Sequence, residues 1–356
     1  MTQRIEKLRT ALKELGVDAF ITEKGENRRY LSGFTGSTGW VIVTKSEAFL
    51  VTDFRYIDQA KEQAAHFTVV NNERKATEAI AKVLMENGVK RLAFEGSVSF
   101  STYQEWSRAF EGVEMVPAIG LMEKLRMYKD ESELTVIREA IRIADEAFSH
   151  ILSYIKPGVR ELDVALELEF FMRKQGADSS AFDIIVASGA RGALPHGVAS
   201  DKVIQAGEMV TLDFGAQYKG YHSDITRTVA VGEPDPKLKE IYDIVLRAQL
   251  AGVQALKPGL TGKEADAVTR DIITAAGYGE AYGHSAGHGL GMQVHELPNL
   301  SAVSPHVLEP GMLVTMEPGI YVSGLGGVRI EDDCLITENG CEILTKSTKE
   351  LLILPV

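Results

Sequence analysis

Residues 208–214, EMVTLDF, alternate: Met209, Thr211 and Asp213 fall on one side, Val210, Leu212 and Phe214 on the other. That is the period of a strand. In 130–155 the apolar positions Leu134, Ile137, Ile141, Ala144, Phe148 and Ile151 recur every three or four residues. The spacing predicts a helix with one buried stripe, and Asp130 with Glu133 suits a capping box at its start. Leu238, Ile241, Val245, Ala248 and Leu256 mark a second such helix over 237–256. Each helix runs into a Lys-Pro-Gly triplet, at 156–158 and 257–259. Proline stops a helix and glycine permits the turn. A further helix follows each triplet and ends at Gly176 or Gly277, again 101 residues apart. Then a nine-residue phrase repeats, GEMVTLDFG at 207–215 and GMLVTMEPG at 311–319. The unit is helix, Lys-Pro-Gly, helix and hairpin, used twice. A period of about a hundred residues is too long for a solenoid of short repeats. Two such halves packed face to face predict one domain with its site between them.

The repeat carries acids. Asp213 in the first phrase stands where Glu317 stands in the second, and each phrase leads to another acidic strand, with Asp224 in HSDITRT and Glu331 in GGVRIEDD. A two-residue loop at Tyr218-Lys219 would set Asp213 opposite Asp224. A turn centred on Gly324 would set Glu317 opposite Glu331. Directly opposed side chains lie roughly 4.5–5.5 Å apart, and like charges there destabilise a sheet. Two opposed acidic pairs in a duplicated frame therefore predict a cation between them.

Histidines add to the pattern. GHSAGHGLGMQVHELP places His284, His288 and His295 in a glycine-rich stretch before Glu317, and ALPHG places His196 before Asp213. Neutral imidazole is a common metal ligand and titrates near neutral pH. His66, His150, His222 and His306 lack this context and are expected to be structural or exposed, although His222 shares the face of Asp224.

The ordered series LDFG, SDITRT, GHGLG, MEPG and RIED resembles the signature of the pita-bread metallopeptidases, the family of methionine aminopeptidase, aminopeptidase P and prolidase. The resemblance implies that Asp213, Asp224, His288, Glu317 and Glu331 hold two divalent ions, with Asp224 and Glu331 bridging. The oxygen-rich set suits Mn²⁺, with Co²⁺, Zn²⁺ or Fe²⁺ as other occupants. His196, His295 and Arg329 match further catalytic positions of the proline-specific members, Glu317 would also move protons, and His284 matches a substrate-binding histidine. The phrases YLSGFTGSTG and VTDFRYIDQA resemble the N-terminal domain of aminopeptidase P and its dipeptidase relatives.

These features predict an α/β (α+β) chain: a smaller creatinase-like α/β domain over 1–126, then a pseudo-twofold pita-bread catalytic domain over 127–356. The resemblance implies hydrolysis of the bond before proline, in dipeptides or in longer peptides with proline second, by a homodimer. A creatinase-like C–N hydrolase working without metal, and a silent binding protein of the same fold, are the alternatives. All five ligand positions being filled argues against both.

Bulk properties narrow the setting. The 356 residues are 45% apolar, enough for a sizeable core, and the net charge is −12 with no basic stripe, which excludes a nucleic-acid surface. MTQRIEKLRTALKELG is patterned as a charged amphipathic helix, not a signal peptide. No apolar run approaches the roughly 20 residues of a membrane span. Cys334 and Cys341 form no disulfide framework, which suits a reducing, cytoplasmic setting.

Overall fold

The computed structural model describes residues 2–356. The chain separates into two compact units, Met1–Arg126 and Met127–Val356. The first is built on a mixed six-stranded sheet. In spatial order its strands are Thr68–Asn71, Ala48–Thr52, Trp40–Thr44, Ala19–Thr22, Arg91–Phe94 and Glu114–Pro117. Its core gathers Ile21, Ile42, Val51, Leu92 and Trp106 with the buried face of helix Ala76–Glu86. Among the described residues no helix is long and apolar enough to cross a membrane.

The second unit shows the duplication in its backbone. Helix Glu131–Ile151 starts at a complete capping box between Asp130 and Glu133, and its predicted stripe is buried. Helix Glu161–Lys174 follows. In the other half the pair is Pro236–Ala255 and Gly262–Ala275. The turns between helices are tied by matching bonds. Gly158 N–H donates to Ile204 O at 3.0 Å, as Gly259 N–H does to Leu308 O at 2.9 Å. Glu161 N–H reaches Lys202 O at 3.0 Å, as Gly262 N–H reaches His306 O at 2.8 Å. Gly176 and Gly277, which close the second helix of each half, have φ of +103° and +89°, a region open to glycine.

Strands Ile185–Ser188, Met209–Phe214 and Ile225–Val231 form the sheet of the first half, with Ile353–Leu354 at its edge. Gly287–Gly289, Leu313–Met316 and Asp332–Thr337 do so in the second half, flanked by Glu296–Leu300 and Gly340–Ile343. Val210, Leu212 and Phe214 pack into a core with Val164, Leu168 and Met172 of helix Glu161–Lys174. Burying each such side chain contributes about 1.5–3 kcal/mol. The opposite face of that strand, with Thr211 and Asp213, is left for the site.

One predicted register is corrected. The first hairpin turns at Lys219-Gly220, because Tyr218 pairs with Tyr221 and Gln217 with His222. Both turn residues have positive φ, 45° and 74°, as the two-residue turn matching strand twist requires. Asp213 consequently pairs with Thr226, not Asp224. Asp224 lies two residues along on the same face, a diagonal neighbour. In the second hairpin the predicted frame is the observed one: Met316 pairs with Asp332 on one side of the acids, and Gly319 with Arg329 on the other. Glu317 and Glu331 sit at the break between those two ladders.

Candidate metal centre

The two hairpins deliver their acids to one cavity of about 670 Å³, which Asp213, Asp224, His288, Glu317 and Glu331 line together. Among the described residues, Asp224, His288 and Glu331 form a group whose ligand atoms lie within 4.8 Å of one another. His288 Nε2 is 3.7 Å from Asp224 Oδ2 and 3.4 Å from Glu317 Oε1. Its Nδ1 meets the Gly289 carbonyl at 3.0 Å. A carbonyl only accepts, so Nδ1 carries the proton and the Nε2 lone pair faces the acids. Burial lowers the His288 pKa, which keeps that lone pair free.

The acids are costly as they stand. Asp213 Oδ1 and Asp224 Oδ1 are buried and accept no hydrogen bond. Burial pushes the Asp224 carboxyl well above its ordinary range, and Glu331 and Asp213 add repulsion. Burial also raises Glu331, with Glu317 and Asp213 next in effect, and raises Glu317. A buried polar atom without a partner carries a desolvation penalty. Two orphaned carboxylate oxygens, a bare imidazole nitrogen and crowded acids are a donor set that fits divalent cations.

The surrounding groups fix the acids' orientation. Thr226 Oγ1 donates to Glu331 Oε2 at 2.6 Å, joining the two halves. Asp224 N–H donates to Asp333 Oδ2 at 3.1 Å. Arg329 spans the halves as well: Nη2 donates to Asp213 Oδ2 at 2.5 Å, Nη1 to Tyr321 Oη at 2.7 Å and Nε to Thr226 Oγ1 at 3.1 Å. Tyr321 Oη lies 2.8 Å from His284 Nε2, and His284 Nδ1 meets Ser285 O at 2.8 Å. The second contact protonates Nδ1, so the tyrosine hydroxyl donates to Nε2.

Each predicted site residue therefore has a definite place. His284, His295, His196 and Arg329 line the same cavity as the five acid and histidine positions. The His295 ring stands edge-on to His288, with centroids 4.3 Å apart. Burial lowers its pKa, helped by His288 and His196. His222 turns instead to the Gly291 carbonyl, 3.1 Å from its Nδ1. Tyr321, Thr226 and Asp333 were not expected from the sequence. Thr226 and Asp333 each stand two residues after an acid of the duplicated pair, and that spacing is the one signal that could have marked them.

Comparison with known proteins shows the family. Residues 135–338 match the model for metallopeptidase family M24, and residues 4–128 match the creatinase/prolidase N-terminal domain. The chain belongs to metallopeptidase family M24. It is a metallopeptidase of the pita-bread fold, in the branch that holds the Xaa-Pro peptidases. A Xaa-Pro dipeptidase of Bacillus anthracis superposes with a TM-score of 0.97 at 56% identity, over 99% of both chains. The Xaa-Pro dipeptidase of Pyrococcus horikoshii is 40% identical over 353 residues, 99% of each chain. An X-Pro aminopeptidase of Thermotoga maritima superposes with a TM-score of 0.90 at 41% identity, over 95% of this chain and 98% of that one.

Proposed function

We propose that this protein hydrolyses the peptide bond before proline, releasing the first residue of Xaa-Pro dipeptides, with two divalent ions held in the cavity. Residues 127–356 would be the catalytic domain. The observation that carries the metal assignment is the convergence of Asp224, His288 and Glu331 with two buried carboxylate oxygens that accept nothing. Asp213, Asp224, His288, Glu317 and Glu331, which line that cavity, would hold the two ions. Mn²⁺ suits this hard set best. When bound, such a pair supplies a water of lowered pKa and a Lewis acid for the scissile carbonyl.

The chain's own groups do the rest. His295, beside His288, is placed to donate a hydrogen bond to the carbonyl oxygen as negative charge grows there. His196 lines the same cavity and contacts the substrate near the scissile bond. Glu317 Oε1, 3.4 Å from Thr315 Oγ1, is placed to hold the proton taken from the attacking water and pass it to the proline nitrogen. Arg329 holds the Asp213 carboxylate in place and positions the Tyr321 hydroxyl that donates to His284 Nε2.

A second reading, release of the first residue from longer peptides, is favoured by the likeness to the Thermotoga maritima aminopeptidase. The 56% identical dipeptidase structure favours dipeptides. One experiment tests both: turnover of Leu-Pro and Leu-Pro-Ala by Mn²⁺-loaded protein whose metal content is measured. Faster cleavage of Leu-Pro with two ions per chain is expected. A metal-free protein that turned over neither peptide with added Mn²⁺ would remove the proposal.

A further inference from the structure

Glu161 opens helix Glu161–Lys174 and is completely buried, yet lies outside the metal centre. Its carboxylate is saturated with donors. Oε1 accepts from Ser188 N–H and Ser188 Oγ, both at 2.8 Å. Oε2 accepts from Ser200 N–H at 3.2 Å, from Ser200 Oγ at 2.7 Å and from the Arg191 guanidinium. Ser188 and Ser200 are the two feet of the segment 189–199, and that segment carries His196. Arg191, inside the segment, also donates through Nη2 to Val198 O at 2.8 Å. A single carboxylate thus holds both ends of the loop and a point within it.

The His196 ring makes no hydrogen bond among the described residues, so its direction is set by the backbone beneath it. Gly197 N–H bonds Leu194 O at 3.0 Å and Val198 N–H bonds His196 O at 2.9 Å, which fixes the turn locally, and Ala199 N–H bonds Ile184 O at 3.2 Å, which ties one end of the segment to the residue before strand Ile185–Ser188.

The duplication shows that the fold alone does not call for an acid here. The counterpart of Glu161 is Gly262, which makes the same backbone bond as the first helical residue of its half. A Cβ at Gly262 would lie 2.2 Å from Asn299 O. The second half therefore closes on this position by direct backbone packing, with no side chain. Only the first half spends a buried carboxylate on it, and it does so under the loop that bears His196.

We infer that Glu161 is a positioning residue that sets His196 over the cavity by tying both feet of segment 189–199. The inference rests on the proposed contact of His196 with substrate. Glutamine at 161 would keep the volume but turn one acceptor oxygen into an amide NH₂ facing donors. A misplacement of about 1 Å at a reacting centre can cost on the order of 10²-fold in rate.

The test is a double-mutant cycle on the full-length, Mn²⁺-loaded protein with Leu-Pro as substrate: wild type, Glu161→Gln, His196→Ala and the double variant. Metal content and hydrogen–deuterium exchange of segment 189–199 are measured on each. Glu161→Gln is expected to lower kcat roughly 10- to 100-fold with both metals kept, and to speed exchange in 189–199 selectively. In the His196→Ala background the same change should alter kcat by no more than about twofold, since coupled residues do not add. Equal losses in both backgrounds, or wild-type kcat in Glu161→Gln, would overturn the inference while leaving His196 in its role. A fully active His196→Ala protein would overturn the role of His196 and this inference with it. If Glu161→Gln does not fold, Ser200→Ala removes one donor and keeps the carboxylate. It enters the same cycle with an expected loss of roughly 3- to 10-fold, confined to the background that retains His196.

Discussion

At His288 the bond from Nδ1 to the Gly289 carbonyl decides what the other nitrogen can do. Nε2 is bare and faces Asp224 and Glu317, the arrangement a proposed ligand requires, whereas the neighbouring His295 ring stands edge-on beside it. The two histidines should separate in experiment. Alanine at His288, Asp224 or Glu331 should abolish turnover and release at least one ion per chain, read by elemental analysis. Alanine at His295 or His196 should keep both ions and lose roughly 10²–10³ in kcat, the usual cost of removing a preorganised donor at a reacting carbonyl. A His295→Ala protein lacking metal would make that residue a ligand. The acids and histidines that line the cavity were legible in the sequence because they recur in a duplicated frame. Tyr321 was not, because its role lies in its bonds to His284 and to Arg329, and Arg329 in turn reaches from the second hairpin across to Asp213 of the first. No spacing along the chain encodes a contact between halves.

Among elements, the helices could be read directly: their apolar stripes and the Asp130–Glu133 box are local features, and local features survive folding. The hairpin register was harder. A strand pattern fixes which side a residue faces but not its partner, since shifting the loop by one residue moves each partner by two and preserves the face. That is why Asp213 and Asp224 were rightly placed on one face but wrongly placed opposite each other. What decided the register was the turn, where Lys219 and Gly220 both adopt positive φ. Gly220→Ala should therefore cost about 1 kcal/mol, because an L side chain in that region is strained. Gly340 supplies the control: it lies in the strand after another hairpin turn, with open space at its Cβ position. Gly340→Ala should shift stability by less than about 0.5 kcal/mol. Thermal midpoints of the two variants test the difference, and equal shifts would show that the Lys219-Gly220 turn does not hold the register.

For the molecule as a whole, the site couples metal, protons and stability. Asp224, Glu331 and Glu317 have carboxyls raised above their ordinary range, by burial first. A group whose folded pKa is raised binds its proton more tightly in the fold than in the unfolded chain. Its contribution to stability is fully present below the ordinary carboxylate pKa of about 4 and is lost as pH rises through the raised range. Metal-free protein should therefore be weakened by its own centre on going from mildly acidic to neutral pH. Other carboxylates act in the opposite sense. Asp18, held at about 2 mainly by its hydrogen bond from Lys45, favours the fold once ionised. The centre is isolated by difference, comparing wild type with Asp224→Asn, both in EDTA. The stability of wild type relative to the variant should fall steadily as pH rises from about 4 to about 8. Mn²⁺ should reverse that slope in wild type, because cations replace the protons and bind best when the ligands are deprotonated. A flat difference curve in EDTA would mean that Asp224 keeps its charge in the metal-free fold without help. The need for a cation would then have to be sought in catalysis alone.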